Sequence, residues 1–192
     1  MITKCILGSQ SPRRQELMTL MGIPFEVRVS DVEENFPENM DVRTVAEFLA
    51  IKKANSLIPS LQEHEILITA DSTVICNNAI YNKPADEQDA ARILKELSGK
   101  KHEVITGVWI GDKNLGESFS EKTYVTFSPL SHDKIEYYIK NYQPFDKAGA
   151  YGIQDWFGLT CVTAIQGSYT NVMGLPTHLV YEKLQKYFKL NS

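Results

Sequence analysis

Cys5-Ile6-Leu7 has the character of a short buried strand that ends abruptly in the polar turn Gly8-Ser9-Gln10. Leu17, Met18, Leu20 and Met21 then recur at helical spacing until Gly22 stops them. Between the two, Ser11 suits a helix N-cap and Pro12 the first helical position, where a missing N–H costs nothing. This strand–turn–helix start fixes Arg13 and Arg14 in the first helical turn. The helix dipole is positive there and disfavours each cation by roughly 0.3–1 kcal/mol. An anion relieves the conflict, because backbone N–H groups and guanidinium forks converge on one point. Solvated arginines, or arginines paired with nearby carboxylates, are the alternative.

The rest of the chain alternates strand and helix patterns without repeats. Phe25–Val29 alternates like a strand, and residues 30–41 read as an acidic loop containing Pro37. Thr44-Val45-Ala46-Glu47 has the form of a capping box opening a helix to about Ile58. Ile66–Cys76 is strand-like, and Asn77-Asn78 turns it back into Ala79-Ile80-Tyr81. Asp86 caps a helix with Ala90, Ile93, Leu94 and Leu97 on one face, ended by Gly99. Val104–Ile110 and Tyr124–Phe127 read as strands around a Gly111–Asn114 turn. Ser131 caps a helix broken by Pro144, Leu159–Ile165 reads as a strand, and Pro176 precedes a last helix. Some strand pairs look like hairpins, so the pattern predicts a mixed α/β sheet in a single domain over residues 1–192.

Composition narrows the partners. A net charge of −4 argues against an extended basic face for long nucleic acid, but allows a local cationic patch for a small polyanion. Cys5, Cys76 and Cys161 are odd in number and sit in apolar surroundings, which predicts buried reduced thiols. His64, His102, His132 and His178 show no zinc-ligand spacing. No signal-peptide pattern and no membrane-length apolar run is present, so a soluble cytoplasmic protein is expected.

Four further places carry chemistry. Lys53 falls on the apolar stripe of Ala46, Leu49, Ala50, Ala54 and Leu57, where a lysine either snorkels outward or meets an anion. Asp71 follows Ile66–Ala70 directly, at the expected end of a buried strand. A carboxylate there either accepts hydrogen bonds in a tight turn or serves a site at the strand end. Lys83 is held extended by Pro84. In Asp146–Gln154, small residues allow close backbone approach to a ligand, while Tyr151 and Gln154 offer groups for a base edge.

Taken in order, S-Q-S-P-R-R, A-D-S-T-V, N-K-P, L-S-G-K-K-H-x-V-x-T-G-V, D-K-A-G-A-Y-G-I-Q and N-V-M-G-L-P resemble the Maf family of nucleoside triphosphate pyrophosphatases, from Leu7 to Pro176. The resemblance implies an α/β fold of the Maf and ITPase type: a mixed twisted sheet with flanking helices, in two lobes around a central cleft. It also implies a homodimer and a hydrolysis of an NTP to NMP and pyrophosphate that depends on a divalent metal, Mg²⁺ or Mn²⁺. Carried over by position, the catalytic carboxylate falls on Asp71 and the phosphate-binding positions on Ser9, Arg13, Arg14, Lys53 and Lys83. The resemblance places the metal with Glu34 and Asp71, and base selection with Arg13, Ser72 and Gln154. The D-K-A-G-A-Y-G-I-Q run is similar to the branch acting on dTTP and UTP rather than on 7-methyl-GTP. Three positions depart from the family pattern: Ser72 for the usual Thr, Gln143 for Glu, and Gly8 for Ala. The rival readings are a non-catalytic nucleotide sensor regulating cell division and a house-cleaning pyrophosphatase for noncanonical purine nucleotides.

Overall fold

The computed structural model describes residues 4–29 and 31–187; residues 1–3 and Ser30, which began the expected acidic loop, lie outside the described residues. Seven strands form one mixed sheet, β1 (Lys4–Leu7), β2 (Phe25–Val27), β3 (Glu65–Cys76), β4 (Ala79–Tyr81), β5 (Lys101–Gly111), β6 (Gly116–Phe127) and β7 (Val162–Gln166). Their order is β2-β1-β3-β5-β6-β7, with β4 paired to β3. The helices are α1 (Pro12–Leu20), α2 (Val45–Leu57), α3 (Glu87–Leu97), α4 (His132–Tyr142), α5 (Trp156–Cys161), α6 (Tyr169–Met173) and α7 (Thr177–Leu184). The mixed α/β class expected from the alternating patterns is therefore present. The chain divides into two compact units, the first within residues 1–71, 106–121 and 174–192, the second within 72–105 and 122–173.

In the first unit β1 pairs in parallel with both β2 and the start of β3, in the register Leu7 to Val27 and Leu7 to Ile68. Parallel strands buried on both faces need continuous apolar runs, which Cys5-Ile6-Leu7 and Ile66-Leu67-Ile68 supply. Ile6, Leu67, Trp109, Ala54, Leu57 and Leu61 pack into one core. α2 lies directly on β5: a Cβ at Gly107 would stand 2.2 Å from the Glu47 amide nitrogen, so only glycine admits this approach.

The expected capping box at Thr44 does not form. The Thr44 hydroxyl instead donates to the Asp41 carbonyl at 2.8 Å, and Glu47 Oε1 accepts from the Ser118 hydroxyl at 2.6 Å. A side-chain partner from β6 has outcompeted the local turn. The helix itself runs as expected, starting at Val45 and ending one residue early at Leu57.

In the second unit β3 and β4 form the expected antiparallel hairpin, turned by Asn77 and Asn78 at φ of 51° and 62°. Asp86 caps α3 by accepting from the Asp89 amide at 2.8 Å, and Ser131 caps α4 from the Lys134 amide. The core is aromatic: Phe127 meets His102, Tyr151 and Phe157 edge-on, with ring centroids 4.6–4.8 Å apart. The strand expected over 159–165 begins only at Val162. Leu159, Thr160 and Cys161 end α5 instead, because the Asp155 carboxylate accepts from the Phe157 amide at 2.9 Å and caps a short helix ahead of them. All three cysteines are buried and reduced, as their apolar surroundings predict.

Candidate active site

The helix start is built as the sequence suggests, with Ser11 in non-helical geometry and Pro12 leading α1, but the Ser11 hydroxyl makes no capping bond. No acidic side chain occupies the first turn. The turn is organised instead around Ser9, which is buried and whose hydroxyl accepts from the Ser11 amide at 3.3 Å and from Arg14 Nη1 at 3.1 Å. Arg14 Nε also donates to the Gly174 carbonyl at 2.8 Å, tying Gly174-Leu175-Pro176 to the helix start within the first unit. Loss of hydration lowers the Arg14 pKa; the nearby Asp71 carboxylate opposes that effect, Arg13 adds to it, and Glu34 opposes it. Arg14 thus lies close enough to Asp71, Arg13 and Glu34 to feel all three charges.

Asp71 sits in the middle of β3, not at its end, and only 9% of it is exposed. The polar Asp71-Ser72-Thr73 run looks like a strand terminus in sequence, yet the strand continues through it because a cation compensates the carboxylate. That cation is Lys53, whose Nζ lies 2.5 Å from Asp71 Oδ1 and 2.7 Å from Glu34 Oε1. Of the two outcomes open to a lysine on the apolar stripe, the structure takes the one in which it meets an anion. The neighbouring Lys52 donates to Asn35, so two successive lysines of α2 hold the acidic loop at Glu34 and Asn35. Ser9, Arg13, Arg14, Glu34, Lys53 and Asp71 all belong to the first unit, and among these six residues three are cations and two are carboxylates. The positive surplus suits an anionic ligand.

The remaining sequence-selected residues, Ser72, Lys83 and Gln154, belong to the second unit. Ser72 follows Asp71 in β3, and strand alternation sends the two side chains to opposite faces. Lys83 is exposed and helps line a cavity of about 350 Å³ with Ile80, Tyr81, Arg92 and Glu96. Gln154 is half-buried, and its Oε1 is buried with no hydrogen-bond partner. Tyr151 departs from its expected role at a base edge. It is 5% exposed, and its hydroxyl meets His102 Nε2 at 3.0 Å inside the aromatic core. Burial pushes the His102 pKa down to about 4, so the ring is neutral at pH 7. Gln143 likewise serves the backbone: exposed, it ends α4 at φ of 43°. Sequence reading missed Tyr138, Asp155 and the Lys52–Asn35 contact; of these only the Asp155 cap leaves a local signal.

A model of the Maf family, described as Maf-like protein, matches residues 4–187. The chain belongs to the Maf family. Among its relatives, a dTTP/UTP pyrophosphatase of Porphyromonas gingivalis is 44% identical over 98% of this chain and 96% of its own. One of Flavobacterium psychrophilum is 48% identical over 93% of this chain and 92% of its own. Among solved structures, the Staphylococcus aureus Ham1 protein has a TM-score of 0.53 at 13% identity, covering 94% of this Maf protein and all of that chain; the likeness is one of fold. No helix among the described residues of the Maf chain is long and apolar enough to cross a membrane.

Proposed function

We propose that this chain is a nucleoside triphosphate pyrophosphatase that hydrolyses dTTP and UTP to the nucleoside monophosphate and pyrophosphate. The observation that carries the reading is the mostly buried ammonium of Lys53 shared between Asp71 and Glu34, in the same unit as the paired arginines of the α1 turn. Relatives at 44–48% identity with this activity in their names supply the substrate class.

The residues divide the work by charge. Arg13, Arg14 and Lys53 offset the triphosphate oxygens, and Ser9 donates its hydroxyl proton to one of them. Lys83 is assigned a further phosphate contact. Asp71 orients a water and accepts its proton as the water oxygen attacks the α-phosphorus. The bond from that phosphorus to the bridging oxygen breaks, and pyrophosphate leaves. Glu34 and Asp71 are hard oxygen donors aimed at one cationic point, a donor set that fits Mg²⁺ or Mn²⁺ with the rest of the shell from phosphate and water. Such an ion supplies charge neutralisation and a more acidic water. Arg13, Ser72 and Gln154 are assigned to base selection. The buried reduced cysteines support a cytoplasmic location, and family resemblance supports a homodimer, which light scattering would reveal.

The test is product analysis with dTTP, UTP, CTP, 7-methyl-GTP and ITP side by side, each with Mg²⁺ or Mn²⁺. Pyrophosphate and the monophosphate from dTTP and UTP are expected. Orthophosphate as the first product, a preference for ITP, or binding without turnover would each overturn the assignment.

A further inference from the structure

Gln154 lies in a four-residue span whose two ends are held by one atom. Tyr138, on α4, is fully buried. Its hydroxyl accepts from the Gly152 amide at 3.0 Å and donates to Asp155 Oδ2 at 2.8 Å. The other Asp155 oxygen accepts from the Phe157 amide at 2.9 Å, so the same carboxylate starts α5 and anchors the hydroxyl. The Gly152 carbonyl in turn accepts from the Gly158 amide at 3.2 Å. Residues 152–155 are therefore clasped at both ends, with Gln154 inside the clasp.

The Gln154 side chain ends in a buried carbonyl oxygen with no donor. An unpaired buried acceptor is costly to leave unmet, and a donor on a bound ligand would satisfy this one. Thymine and uracil present an N3–H donor flanked by carbonyl acceptors, which matches a side-chain amide. Cytosine presents a bare nitrogen at the same position. A glutamine amide reads the pattern only when its side chain starts from a fixed place, which the clasped backbone supplies.

We infer that the Tyr138 hydroxyl is a positioning group for Gln154, and thereby sets the preference for thymine and uracil over cytosine. This rests on the pyrophosphatase reading above and on Gln154 meeting the base. Tyr138 does not touch substrate; it acts through the backbone of residues 152–155. Its ring stacks near Tyr142 and Trp156, contacts that a phenylalanine keeps.

The experiment is steady-state kinetics of Tyr138→Phe, Gln154→Ala and the double variant on dTTP and CTP, beside the wild type. In Tyr138→Phe the KM for dTTP should rise about tenfold with kcat within about twofold, and the dTTP-to-CTP ratio of kcat/KM should fall at least threefold. In the Gln154→Ala background, adding Tyr138→Phe should change that ratio by less than twofold. An unchanged ratio in either single variant, equal losses on both nucleotides, or a further fall in the double variant would each overturn the inference while leaving wild-type pyrophosphate release intact. Absence of that release in the wild type would instead overturn the functional reading. Should Tyr138→Phe not fold, Asp155→Asn gives the same readout, because it retains an oxygen for the Phe157 amide and weakens the acceptor of the hydroxyl.

Discussion

Lys53 decides how Asp71 can exist where it does. A carboxylate in the middle of a buried strand is tolerated only with a partner, and breaking such a pair by removing one member costs roughly 3–5 kcal/mol. The proposed chemistry separates this structural duty from catalysis. Asp71→Asn keeps the size and a hydrogen-bond acceptor for Lys53 but removes the base. It should lower kcat at least a hundredfold with nucleotide binding, measured by calorimetry, largely retained. Retention of more than a tenth of wild-type kcat, a barrier change under about 1.4 kcal/mol, would contradict the base role. A second residue-scale prediction concerns Gly8, where the family usually has alanine. A methyl group there would lie 2.6 Å from Thr69 Cγ2 and 2.9 Å from Leu57 Cδ1. Thr69 cannot yield freely, since its hydroxyl donates to the Ala50 carbonyl at 2.7 Å. Gly8→Ala should therefore destabilise by about 1–3 kcal/mol in urea unfolding, as overpacked cores do. Unchanged stability would show that Thr69 and Leu57 adapt without cost.

Elements make the aromatic core of the second unit pH-sensitive. His102 on β5 titrates at about 4 when folded, against 6.5 for an ordinary histidine, because burial disfavours its charged form. Between those values the unfolded chain binds the extra proton, so stability is fully present above about pH 6.5 and is lost as pH falls toward 4. Between pH 7 and pH 5 the loss should be about 2 kcal/mol in urea unfolding, and His102→Gln should remove most of that slope. A slope equal to wild type in the variant would assign it to other groups. The same scale shows what was readable in the sequence. Helices with a local side-chain cap, α3 and α4, were legible because Asp86 and Ser131 act within their own turn. The capping box at Thr44 was not, because Ser118, distant in sequence, takes the Glu47 carboxylate. The run of β3 to Cys76 is legible from its apolar and β-branched residues, but Asp71 looks like the end of its buried part because the compensating Lys53 comes from a helix. Leu159-Thr160-Cys161 looked like strand because the Asp155 cap overrides their β propensity. In the candidate site, residue types signalled Arg13, Arg14, Lys53 and Asp71, while Tyr138 read only as one more apolar position on α4.

For the whole molecule, a net charge of −4 coexists with three cations against two carboxylates among the candidate site residues Arg13, Arg14, Lys53, Glu34 and Asp71. That pairing favours a small polyanion over an extended one. The proposed metal role is tested by chelation: EDTA should stop pyrophosphate release, and Mg²⁺ or Mn²⁺ should restore it. Full turnover in EDTA would remove Glu34 and Asp71 from any metal role. The central claim is that a water prepared by Asp71 attacks the α-phosphorus while the cations hold the triphosphate. Hydrolysis of dTTP in ¹⁸O-labelled water, read by mass spectrometry, tests it most directly. One ¹⁸O atom in dTMP and none in pyrophosphate is the expected result; label in pyrophosphate, or in orthophosphate released first, would contradict it.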